Sequence, residues 1–143
     1  MDLEIIPIEG VGPIKFGMSP EAVRSIIGGE YRSFLKTPKS VFPCDSFRDE
    51  GIICFYDANA CLEAIEFMRR SQPHLYGHEF IGHTVEDVRT FIAGLDDNVE
   101  INSDGAISHR LGVGVYAPLA KSNPRAIVES VIAFRQGYYA SVV

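Results

Sequence analysis

Short apolar runs bounded by glycine, proline or asparagine alternate along this chain with two stretches of helical period. Leu3–Ile8 and Pro13–Phe16 read as strands on either side of a Glu9-Gly10-Val11-Gly12 turn. Val23, Ile26 and Ile27 then fall at i, i+3 and i+4, the stripe of an amphipathic helix. Ser19 is placed to cap that helix. Pro20 takes the first helical position, where its missing N–H is harmless, and Glu21 suits the positive helix end. Gly28-Gly29 stop it. Tyr31–Phe34 predicts an extended segment, and Lys36–Asp45, with Pro38 and Pro43, an irregular one. Gly51–Tyr56 and Cys61–Met68 flank Asp57-Ala58-Asn59-Ala60 and predict a hairpin, with Glu63 and Glu66 marking where its strands meet water.

The same order returns in the second half. Leu75–Ile81 predicts a strand, Thr84 a helix cap with Asp87 three residues on, and Val88, Phe91 and Ile92 the apolar stripe. Val99–Asn102 and Ala106–Arg110 predict a hairpin around Ser103-Asp104-Gly105, and Gly112–Tyr116 with Val128–Phe134 a second one. The match extends to identities. Phe16-Gly17-Met18-Ser19-Pro20-Glu21-Ala22-Val23-Arg24 reappears as Ile81-Gly82-His83-Thr84-Val85-Glu86-Asp87-Val88-Arg89, with Gly, Glu, Val and Arg kept. The expectation is one α+β domain made by tandem duplication of a strand-helix-antiparallel-strands unit, residues 1–72 and 73–143. Its antiparallel sheet is expected to carry helices on one face and to leave the other partly open.

Composition narrows the function classes. The 143 residues carry a formal charge of −6 and 46% hydrophobic residues, an ordinary globular balance of acidic sign. That charge opposes nucleic-acid binding, whose main affinity comes from cations on phosphates, and suits a basic protein partner. No apolar run approaches the roughly 20 residues that span a bilayer, and Met1-Asp2-Leu3-Glu4 lacks the basic start of a secretion signal, so the expected location is cytoplasmic. Cys44, Cys54 and Cys61 are irregularly spaced and read as reduced thiols.

Candidate chemistry is sparse. His74, His78 and His83 are spaced suggestively, but on one strand His74 and His78 would sit about 13 Å apart, too far to share an ion. No metal, cofactor or catalytic residue is expected. Gly10-Val11-Gly12 and Gly112-Val113-Gly114 lack the lysine of a phosphate loop, and Gly114 instead suggests a bulge or a close backbone approach. The acidic stretch Asp96, Asp97, Glu100 and Asp104 is the candidate partner-binding surface, steering encounter with an electropositive protein. Tyr76, Tyr116, Tyr138 and Tyr139 could add contact area, although core or edge packing explains them as well.

The block Phe16-Gly17-Met18-Ser19-Pro20-Glu21-Ala22-Val23 resembles the helix-start motif of small outer-membrane assembly lipoproteins of the SmpA/OmlA type, a unit found in tandem in β-lactamase inhibitory proteins. Across most of its length the chain is similar to uncharacterised bacterial proteins found among immunity proteins of polymorphic-toxin and contact-dependent inhibition systems. Tyr31–Pro38, Gly51–Asp57, Glu63–Phe67 and Val131–Tyr139 carry that likeness. The resemblance implies a non-catalytic inhibitor that occludes the basic active site of a cognate toxin, as suits a nuclease, with no toxin-binding residues transferable. The alternatives are a small ligand-binding domain or enzyme using a cleft between the halves, and a structural module of a larger assembly.

Overall fold

The computed structural model of the protein describes residues 1–40 and 42–139. Val41, within the irregular Lys36–Asp45 stretch, and residues 140–143, the end of the second half, lie outside the described residues. The chain opens with β1 (Ile5–Ile6), β2 (Gly10–Val11) and β3 (Ile14–Lys15), which pair as a small sheet of their own. Helix α1 (Pro20–Ile27) leads into a meander of β4 (Arg32–Phe34), β5 (Cys44–Phe47), β6 (Ile52–Tyr56) and β7 (Leu62–Phe67). A two-stranded hairpin, β8 (His74–Leu75) and β9 (His78–Glu79), precedes α2 (Val85–Leu95). The second meander is β10 (Glu100–Asn102), β11 (Gly105–Ser108), β12 (Val113–Tyr116) and β13 (Ser130–Phe134). Both meanders form one antiparallel eight-stranded sheet in the order β10-β11-β12-β13-β7-β6-β5-β4. The last strands of the two halves pair at its centre, Val131 opposite Phe67 and Phe134 opposite Ala64, so the first strands, β4 and β10, become the edges.

Each helix starts by the same local chemistry. The Ser19 hydroxyl accepts the Ala22 N–H, and the Thr84 hydroxyl accepts the Asp87 N–H, each at 3.2 Å. Two residues before each cap stands a glycine with positive φ, 96° at Gly17 and 89° at Gly82, a backbone shape costly for other residues. Those shapes aim paired hydrogen bonds at the sheet. Gly17 donates to the Leu62 carbonyl and Leu62 donates back to Met18; Gly82 donates to Val128 and Val128 donates back to His83 (2.8–2.9 Å). The glycine of the repeated block thus rivets each helix start to the chain entering a central strand.

Alternation then sorts the sheet's side chains. Val23 of α1 and Val85, Val88 and Ile92 of α2 are buried with Phe47, Ile52, Cys54, Ile65, Phe67, Val113 and Val131 in one core. Their strand neighbours Cys44, Phe55, Ala64 and Phe134 form a smaller cluster on the opposite face. Both helices therefore cover one face of the sheet.

Three local expectations are corrected. Gly10-Val11 is not a turn but the middle strand of the small sheet, because without a Cβ Gly10 lets the Ile14 carbonyl close against it. Leu75–Ile81 is not one strand. Tyr76 and Gly77 both take positive φ (50° and 82°) and fold it into a tight hairpin, a turn shape that matches strand twist. His74 and His78 consequently lie on opposite arms, with Leu75 opposite His78, and not along one strand.

Candidate functional site

The uncovered face of the eight-stranded sheet is the candidate site. Its geometry follows from register. Asp45 points to the helix side, where it meets Arg24, so Ser46 points the other way. Ile65 and Phe67 lie in the helix-side core, so Glu66 between them also faces outward. Pairing extends this row across the sheet: Arg32 opposite Ser46, Ser46 opposite Ile53, Ile53 opposite Glu66 and Glu66 opposite Ile132. Beyond the centre it continues through Gly114 and Ile107 to Glu100 on the far edge. A Cβ at Gly114 would lie 3.0 Å from the Ile132 side chain and 3.6 Å from that of Ile107, so what crowds this glycine is neighbouring side chains and not the bulge or close backbone expected from sequence.

One end of the face is closed by the chain itself. Lys36 lies over the rings of Phe55 (4.7 Å) and Tyr138 (5.5 Å) and donates to the Tyr138 hydroxyl at 3.0 Å. Tyr139 packs edge-on against Phe134 at 4.9 Å. Arg135 anchors this turn with ion pairs to Asp57 (3.0 Å) and Glu63 (3.1 Å). Beside the cap a shallow trough of about 320 Å³ runs over Glu66, Ser130, Ile132, Ile107 and Tyr116, drawing walls from both halves. Tyr116 is 48% exposed there.

The electrostatics single out Glu66. Burial raises its carboxyl above the ordinary range, with the Ser130 hydroxyl and the Lys36 charge pulling the other way. Burial likewise raises Glu63, whose ion pair with Arg135 offsets part of the cost. At Asp57, burial is outweighed by the N–H groups of Cys61 and Asn59 and by Arg135, and the carboxyl is held low. Burial also pushes up the Tyr139 phenol and the Cys44 thiol. Among the described residues Glu66 makes no ion pair. It is a desolvated carboxylate between two isoleucines, electrostatically prepared for a cation.

The four acidic residues of the sequence reading are not brought together. Asp96 is 2% exposed and ends α2; it accepts from the Ser108 hydroxyl (2.7 Å) and the Asn98 N–H (2.9 Å), which hold its carboxyl below the ordinary range. Buried there, Asp96 offers no surface to a partner. Asp97, Glu100 and Asp104 are exposed, and Glu100 stands 3.4 Å from His109. Only Glu100 shares a row with Glu66. In the sequence Glu66 reads only as a water-facing strand position. Its neighbours Ile65 and Phe67 are both buried, but so are Leu62 and Ala64 beside Glu63, so flanking apolar residues do not by themselves single it out. The histidines have structural roles: His74 meets Asp2 at 2.8 Å and His78 stacks on Phe91 at 4.2 Å. Among the described residues no group of three His, Cys, Asp or Glu side chains is placed to hold a metal ion, and no helix is long and apolar enough to cross a membrane. Compared with protein-family models, with curated proteins and with solved structures, the chain matches none.

Proposed function

We propose that the protein is a non-catalytic inhibitor of the immunity-protein kind, whose open sheet face occludes the basic active site of a cognate toxin domain in the cytoplasm. Supporting this reading is the desolvated Glu66 carboxylate, set among Ile53, Ile132 and Ile107 on a face that the helices leave free. A lysine or arginine of the partner would relieve its burial, and the surrounding isoleucines and Tyr116 would supply apolar contact. Exposed Asp97, Glu100 and Asp104 would add steering at the β10 edge. We take the two halves, 1–72 and 73–143, as descendants of one duplicated unit; the recurring glycine rivets and helix caps support that origin. A second reading rests on the trough itself. Its walls come from both halves, and its volume of about 320 Å³ is of the size that holds small ligands.

The test is co-expression with any toxin domain that a neighbouring gene is found to encode. Wild-type protein is expected to restore growth, whereas folded Glu66→Lys fails to and binds the toxin about 30-fold or more weakly. No rescue by the wild type would end the inhibitor reading. Glu66→Gln supplies an independent check. A carboxyl raised by burial stabilises the fold below its unfolded pKa and loses that contribution as pH rises through its folded value. Glu66→Gln should therefore raise the unfolding free energy read from urea titrations at pH 7, by up to about 1 kcal/mol, and lose this advantage below about pH 4. A gain at pH 7 alongside weaker toxin binding would separate a binding carboxylate from a structural one.

A further inference from the structure

The two edges of the large sheet are protected differently. Edge strands present unpaired N–H and C=O groups, and natural proteins usually blunt them with charge, proline or a bulge. At the β10 edge stand Glu100 and, nearby, exposed Asp97 and Asp104. β10 also exposes Ile101 (52%), and the β4 edge carries charge of the opposite sign, Arg32, beside more apolar area. β4 pairs only with β5, all three of its residues are exposed, and Tyr31, Phe34 and Leu35 present apolar area there (45%, 38% and 52% exposed). Running inward from this edge on the open face is a groove of about 680 Å³ in which Arg32, Arg48 and Arg70 converge over Ser46 and Ile53. Glu30 and Asp49 line it too, but Arg70 reaches Asp49 only at 3.7 Å with both side chains largely exposed. Among the described residues neither Arg32 nor Arg48 makes an ion pair.

We propose that the β4 edge receives an extended acidic peptide segment as a further strand, with its carboxylates seated in the arginine groove. Backbone pairing would come from the unpaired side of β4. Alternate side chains of the added strand would face the side to which Arg32 points, where guanidinium groups match carboxylates in two-pronged hydrogen bonds. The intervening side chains would lie towards Tyr31 and Leu35. A peptide fits better than a nucleic acid because the edge offers a backbone ladder, which only another polypeptide backbone can extend. This site lies at the other end of the sheet from Glu100 and takes a ligand of opposite charge to the partner proposed for Glu66, so the two stand or fall separately.

A short labelled peptide alternating Glu and Val, titrated with the protein and followed by fluorescence anisotropy, tests the proposal. Saturable binding is expected, weakening with added salt and falling at least about tenfold in Arg48→Ala/Arg70→Ala, whose circular dichroism should match the wild type. Hydrogen exchange should slow at residues 32–34 when peptide is present. No saturable binding, or equal binding of a Gln-for-Glu peptide or of oligothymidylate, would overturn it. Protection confined to another strand, or concentration-dependent self-association that blocks the peptide by adding a second copy's β10 to β4, would also overturn it.

Discussion

The fifth residue of each helix is an arginine that ties the helix to its meander, and the two ties are built on different acceptors. Arg24 grips the carboxylate of Asp45 with two bonds (2.8 and 3.0 Å), and Asp45, wholly buried, also accepts from Ser33 (2.8 Å) and the Tyr56 hydroxyl (3.0 Å). The guanidinium lies 4.4 Å above the Tyr31 ring. Arg89 instead donates to the backbone carbonyls of Asn102 (2.6 Å) and Gly105 (3.1 Å), where the chain turns from β10 into β11. The second half keeps its buried carboxylate elsewhere, as Asp96, satisfied by a hydroxyl and an N–H. One arginine neutralises a buried charge; the other only completes hydrogen bonds. Identical sequence at a matched position thus carries unequal energetic weight, because the acceptor decides what is lost when the donor goes.

The sharpest way to break this contrast is to remove each arginine in turn. Arg24→Met strands the Asp45 charge in the core and should cost about 3–5 kcal/mol in urea unfolding, a large part of a small domain's stability. Adding Asp45→Asn to that variant should recover part of the loss, since the buried charge is then gone. Arg89→Met should cost only about 1–2 kcal/mol. Equal losses at the two positions would show that the acceptor does not matter.

A smaller effect separates the two buried carboxylates further. Because Asp96 is held low in the folded state, its contribution is present above the ordinary Asp range and fades as pH falls through the folded value. Asp96→Asn should cost about 1.5–2 kcal/mol at pH 7 and little once the pH is well below about 4, as read from urea midpoints across that range. A loss independent of pH would mean that shape, not charge, holds the end of α2. Smallest of all, Ser19→Ala and Thr84→Ala should each cost about 1 kcal/mol, matching one another within error in thermal melts. Here the halves should agree. A large difference between the caps would make the helix starts as unlike as the arginine ties.

Local signals carried far in this chain. Ser19-Pro20 and Thr84 placed the helix starts, Gly28 the end of α1, and the apolar runs Gly51–Tyr56 and Cys61–Met68 around the Asp57–Ala60 turn the hairpin, because caps, turns and apolar runs depend on residues a few positions apart. Where a turn needed positive φ from a residue not marked for it, as at Tyr76, the reading of one continuous strand failed. The candidate site was hardly legible. Glu66 and Asp96 are both carboxylates beside apolar residues, yet one lies half-buried on an open face and the other is sealed under Ser108.

What the sequence determined by itself was the two helix starts, the repeated block around them, the hairpin after Gly51 and the acidic balance, all fixed by neighbours along the chain. What only the tertiary structure decided was that β13 pairs with β7, setting Ile132 beside Glu66 and sending β4 and β10 to the rims. That pairing joins residues far apart in the chain, and the burial it imposes on a charge depends on every strand around it, information that no short window of sequence contains.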